Sequence, residues 1–136
     1  NNLCLQYTRS SSNVTSGTII YDTEVFDVGN SNAYNTSNGE FTAPITGLYR
    51  LKYTFLRDDS SAANVTYFHV YKNGVQWTEA GGASYSSAGT TNYSVTTNET
   101  LVSLNATDYL TIRMIGGEIY IDGTGVYHSV IFELVG

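Results

Sequence analysis

Gly47-Leu48-Tyr49-Arg50-Leu51-Lys52-Tyr53-Thr54-Phe55-Leu56-Arg57 is the stretch that decides the fold. Tyr49, Leu51, Tyr53 and Phe55 share one parity, and Arg50, Lys52 and Thr54 share the other. Successive side chains of a β-strand point to opposite faces, so this pattern predicts a strand with one buried face and one wetted face. A helix would scatter the same large side chains around its circumference.

The alternation recurs on both sides of this stretch, with turn residues between. Leu3 to Arg9 reads as a short strand ended by Ser10-Ser11-Ser12-Asn13. Thr18 to Val28 gives one or two strands, with Ile20, Phe26 and Val28 on one parity. Gly29 to Asn32 turns the chain, and Asn38-Gly39 and Asn73-Gly74 are tight-turn dipeptides. Asp58 to Ala63 reads as a loop, Asn64 to Lys72 as a strand, and Ala80 to Thr91 as loop or weak strand. Thr96 to Leu104 and Asp108 to Ile115 read as a pair, with Leu110, Ile112 and Met114 inward. Gly116-Gly117 and Gly123-Thr124-Gly125 bracket Ile119 to Ile121, and Val126 to Val135 closes the chain with Val126, Val130, Phe132 and Leu134 on one parity. Many short strands without a helical period or a linker predict one all-β domain over residues 1–136, a sandwich or jelly roll.

Composition narrows the function. The 136 residues carry 13% aromatic side chains, too much apolar area for a chain that stays unfolded. Folding at this length buries roughly two-thirds of the unfolded surface, enough for a core without disulfides. Polarity comes from 18 Thr, 14 Ser and 12 Asn, which suit strands and turns, rather than from charge. Lys and Arg number 6 against 12 Asp and Glu, a net charge of −6 that cannot neutralise a run of phosphates, so nucleic acid is excluded as a partner. No apolar run approaches the roughly 18 residues of a membrane-spanning helix, and no membrane insertion is expected. Cys4 is the single cysteine; between Leu3 and Leu5 it reads as a small hydrophobe in a strand. The chain starts at Asn1 without a basic-then-apolar leader, which reads either as a processed protein or as a domain of a longer one.

One strand departs from the half-buried pattern. Val65, Tyr67, His69 and Tyr71 line one face, and Thr66, Phe68 and Val70 the other. A strand with large side chains on both faces is covered on both. In a two-sheet sandwich the second cover is either another subunit or a loop. The first makes Tyr67, His69 and Tyr71 the expected contact between copies.

The run Tyr34-Asn35-Thr36-Ser37-Asn38-Gly39-Glu40-Phe41-Thr42-Ala43-Pro44-Ile45-Thr46-Gly47-Leu48-Tyr49 resembles the signature of the complement C1q globular head: an aromatic-Asn start, Gly-x-Phe, then Pro-x-x-Gly-x-Tyr feeding a long strand. Phe26 and Gly29 precede it at the family's usual distance, and Ser129-Val130-Ile131-Phe132-Glu133-Leu134 resembles the family's closing strand. Gly39 and Gly47 suit positive φ or close backbone approach. Leu104-Asn105-Ala106-Thr107-Asp108 lacks the glycine of the family's Leu-x-x-Gly-Asp, and Glu133 stands where the family prefers a small or apolar residue. The resemblance implies a ten-stranded jelly roll of the C1q/tumour necrosis factor type, packed as a homotrimer, that recognises proteins or glycans. It also implies that loop carboxylates can hold Ca²⁺. Asp58, Asp59 and Asp122 are hard oxygen donors of the right kind.

No catalytic signature stands out. His69 and His128 fall in strands, and adjacent Asp58 and Asp59 point apart in an extended chain. Trp77 is either an exposed anchor or a core residue beside Val75. Six sequons, at Asn13, Asn35, Asn64, Asn92, Asn98 and Asn105, fit either a glycosylated secreted protein or a polar surface fibre. The expected function is a non-enzymatic trimeric recognition or assembly head at an extracellular or particle surface. The alternatives are the tip of a bacterial, phage or viral fibre and a monomeric carbohydrate-binding module.

Overall fold

The computed structural model describes residues 2–10, 17–58, 65–77, 83–85, 93–115 and 128–136. In chain order the strands are β1 (Cys4–Thr8), β2 (Gly17–Thr18), β3 (Thr23–Val28), β4 (Tyr34–Asn35), β5 (Glu40–Thr42), β6 (Gly47–Asp58), β7 (Val65–Lys72), β8 (Val75–Gln76), β9 (Ala83–Tyr85), β10 (Tyr93–Leu104), β11 (Tyr109–Ile115) and β12 (Ser129–Leu134). There is no helix among the described residues. One sheet runs β10-β6-β12-β1-β3; the other runs β4-β5-β11-β7-β8, with β2 added to β11 and β9 to β7. All pairings are antiparallel. β5 and β2 share one flank of β11, and β8 and β9 share one flank of β7. Counted by flank, the sandwich has the ten strand positions of the expected jelly roll.

The deciding strand lies inside its sheet, between β10 and β12. Tyr49, Leu51, Tyr53 and Phe55 are all buried, as the parity predicts. From the same sheet come Leu5, Tyr7, Val130 and Phe132; across the layer lie Phe41, Phe68, Val70, Leu110, Ile112 and Met114. Aromatic rings bridge the sheets: Phe41 stacks on Phe132 at 4.2 Å and 5°, and Phe55 lies 3.6 Å from Phe68. Such pairs add about 0.5–1.5 kcal/mol beyond the area they bury. Trp77 packs partly buried against this core, which supports the second of the two readings of that residue.

The two signature glycines have different reasons. Gly39 closes the β4–β5 hairpin at φ +77°, and a Cβ there would lie 2.9 Å from the Ile19 carbonyl oxygen. A Cβ on Gly47 would sit 2.6 Å from Leu134 Cδ1 and 2.8 Å from the Gly136 oxygen, so close approach alone demands glycine. There the C-terminal segment docks on the start of β6, with Leu48 N–H donating to the Gly136 oxygen.

One expected pairing is wrong. The strands on either side of Asn105 do not pair with each other. β10 matches β6 along its whole length, from Tyr93↔Asp58 to Leu104↔Gly47, while β11 pairs with β7 in the opposite sheet. Parity identifies a strand but not its partner, and the Asn105–Asp108 connection crosses between sheets rather than closing a hairpin. It does so with Thr107 at φ 77°, a left-handed conformation that a β-branched residue adopts only under strain. This is the position at which the resembled pattern has glycine. Thr107→Gly is therefore expected to stabilise the domain by about 1 kcal/mol. That figure is strain of about 1–3 kcal/mol less about 0.4–1 kcal/mol for the greater freedom of glycine in the unfolded chain. Urea unfolding of unglycosylated protein checks this, and a lowered midpoint contradicts it.

Candidate interaction surfaces

Each sheet has an outer face that no other described strand covers, and the two differ in chemistry. On the five-stranded sheet the register aligns Leu101, Arg50, Glu133, Cys4 and Val28 in one row. The next row holds Glu99, Lys52, Ile131, Gln6 and Phe26. Arg50 sits between two carboxylates, Nε 3.3 Å from Glu99 Oε1 and Nη1 2.8 Å from Glu133 Oε1. With Lys52 the centre of the face is charge-balanced. On either side of that centre, Leu101 on one edge strand and Val28 and Phe26 on the other are 51%, 46% and 37% exposed. Cys4 is half-buried in the same rows, and burial, followed by nearby Glu133, pushes its thiol pKa up. The thiol therefore stays protonated, as expected for a small hydrophobe. The shared parity of Phe26 and Val28 is seen as expected, but it points outward, to this face.

On the seven-stranded sheet the outer face of β7 carries His69 and Tyr71, both half-buried, while Phe68 and Val70 are buried beneath. Tyr67 holds the register position between Ala83 of β9 and Ile115 of β11. Arg113, directly across from His69, lays its guanidinium 4.9 Å from the centre of the Tyr71 ring. Gln76 Nε2 lies 3.2 Å from His69 Nδ1. The polar groups of this face are thus largely turned on one another. A cation over a ring near the surface is worth about 0.5–1 kcal/mol.

The other sequence candidates separate. Asp58 ends β6, and its side chain, like all of Asp59 and Asp122, lies outside the described residues. No group of three or more His, Cys, Asp or Glu side chains clusters among the described residues. His128 is fully buried just before β12, and its Nδ1 accepts the Leu56 N–H at 3.3 Å, which makes it part of the packing between β6 and β12. Two shallow grooves at the end of the sandwich meet at Ile45. One, of about 260 Å³, is lined by Asn2, Leu3, Gly29, Ser31, Pro44 and Ile45, none of them titratable. The other runs from Thr46 to Val135 and Gly136. The turn at that end is pinned by Asp108. Its carboxylate accepts from Asn73 Nδ2 and the Asn105 N–H, both at 2.9 Å, and lies 3.7 Å from Lys72 Nζ. These contacts, the Asn73 bond foremost, hold its pKa below the usual carboxylate value.

Comparison with known proteins agrees with this architecture. A model of the C1q domain matches residues 4–130. No curated protein sequence matches the chain. Among solved structures, the globular domain of the zebrafish complement 1qA protein superposes with a TM-score of 0.68 at 13% identity, over 100% of this chain and 98% of that one. Murine APRIL at pH 8.5 gives 0.68 at 10% identity, over 99% and 100%. Eiger TNF from S. frugiperda gives 0.65 at 13% identity, over 99% and 93%. At such identities the likeness is one of fold.

Proposed function

Because the chain belongs to the C1q domain family, we propose that it is a non-enzymatic, homotrimeric recognition head, working at an extracellular or particle surface and binding a protein or glycan ligand. The observation that carries this reading is the outer face of the five-stranded sheet, where Phe26, Val28 and Leu101 stand exposed around a charge-balanced centre. Apolar side chains around matched charges suit burial against a second copy, since each buried ion keeps an opposite partner to offset part of its lost hydration. Closed three-fold symmetry then repeats any weak ligand site three times and converts modest affinity into avidity. Light scattering on the chain in solution tests the assembly, and substitutions on this face test its location.

The second reading places the contact at Tyr67, His69 and Tyr71 on the other sheet. It is favoured by the half-buried His69 and Tyr71. Charge placed at His69 and Tyr71 separates the two readings. It leaves the assembly intact if copies meet through Phe26 and Leu101, and breaks it if they meet through β7. Calcium enters this proposal through Asp58, Asp59 and Asp122, carboxylates of the type that hard cations select. A melting temperature raised by added Ca²⁺ and lowered again by chelator is the expected result, and an unchanged melt argues against it.

A further inference from the structure

Six sequons are written into the chain, and the fold treats them differently. Three have acceptor asparagines among the described residues: Asn35, Asn98 and Asn105. Asn98 lies within β10, opposite Tyr53, and its Nδ2 donates to the Tyr53 hydroxyl at 2.9 Å. Tyr53 is fully buried, so the nitrogen that would carry a sugar is committed to the core. Asn35 is exposed but sits in the tight β4–β5 hairpin, its carboxamide oxygen accepting the Ser37 N–H at 2.8 Å. Asn105 is exposed and held by its backbone alone. Its N–H donates to Asp108 Oδ2 at 2.9 Å, and its carbonyl accepts from the Asp108 N–H at 3.0 Å. Its carboxamide makes no hydrogen bond among the described residues.

The third residue of that sequon supplies an independent observation. Thr107 is exposed, holds φ 77°, and its hydroxyl has no hydrogen-bond partner among the described residues. Nothing in the packing calls for a β-branched side chain there, and glycine would relieve the strain. Strain at a residue whose side chain has no structural use is a pointer to function. What Thr107 does supply is the hydroxyl two positions after Asn105, which N-glycosylation requires.

We propose that Asn105 is an N-glycan acceptor and that Asn98 is closed to modification; this rests on the extracellular part of the reading above. In the reaction, Asn105 Nδ2 forms a bond to the anomeric carbon of an oligosaccharide carried on a polyprenyl diphosphate. The bond between sugar and phosphate breaks, and the amide loses a proton as the diphosphate leaves. The turn is tied to the end of the sandwich, Ala106 N–H to Thr46 Oγ1 at 2.9 Å and Thr107 N–H to the Ala43 carbonyl at 2.8 Å. A glycan at Asn105 therefore projects from that end and leaves the outer face of the five-stranded sheet free for a second copy.

The test is to secrete the whole chain from eukaryotic cells, release N-glycans with an amidase in ¹⁸O-water, and map labelled aspartate by peptide mass spectrometry. Label at Asn105 and none at Asn98 in the folded, soluble fraction is the expected result. Asn105→Gln and Thr107→Gly should each remove the Asn105 glycan, while Thr107→Ser retains it. An unlabelled Asn105, or a labelled Asn98 in folded protein, overturns the proposal. The assembly is measured separately on glycan-free protein, so failure here and failure of the trimer are told apart.

Discussion

Phe132→Ala is expected to cost about 3–5 kcal/mol, the range for truncating a large aromatic in a packed core. Phe132 is 2% exposed, stacks on Phe41, and has the Tyr34 ring centre at 5.7 Å. Its strand neighbours in register are Leu5 and Leu51, both fully buried. The ring therefore fills the layer between the sheets, and β12 cannot collapse into the gap without breaking its ladders to β1 and β6. With total stabilities of about 5–15 kcal/mol for domains of this kind, the variant sits near the edge of folding. Urea unfolding followed by near-ultraviolet circular dichroism measures the loss. A loss below about 1 kcal/mol would mean that the ring is not packed as described.

The second large effect concerns assembly. Phe26→Glu combined with Leu101→Glu should convert the proposed trimer to a folded monomer. Both side chains are already partly in water in the single chain, so the substitutions cost its fold little. In the assembly each copy would bring two unpaired carboxylates into a contact whose own charges, Arg50 with Glu99 and Glu133, are already matched. Burying an unpaired charge costs several kcal/mol per site, and three-fold symmetry repeats the cost at every contact. A threefold fall in mass at low micromolar concentration is the expected result, with far-ultraviolet circular dichroism unchanged. An unchanged mass would move the contact away from this face, and the paired variant His69→Glu with Tyr71→Glu would then be the one to dissociate it.

Strand identity was legible because alternation marks a half-buried strand wherever one face meets a core. The Tyr49-to-Phe55 parity, the inward Leu110, Ile112 and Met114, and the turns at Asn38-Gly39 and Asn73-Gly74 all follow from local chemistry. Partner choice was not legible: β10 and β11 are adjacent in sequence, yet each pairs elsewhere, because a turn of the Asn105–Asp108 kind can close a hairpin or cross a sandwich. Nor could parity tell inward from outward at the sheet edge. Phe26 and Val28 alternate as core residues do, but β3 pairs with β1 on one side only and shows them to solvent. The candidate face was hidden for the same reason, since its rows draw single residues from five strands scattered between Cys4 and Glu133. The strand with two large faces drew attention to β7 instead, where His69, Tyr71, Gln76 and Arg113 contact one another. The missing signature glycine at Thr107 was visible in the sequence; that its φ is positive all the same was not.

The trimer is the central claim, and the mass of the unmodified chain in solution tests it most directly. Light scattering coupled to size exclusion should give about three times the 14.8 kDa of one chain, independent of loading over a tenfold range. A mass of 14.8 kDa at every loading would contradict it.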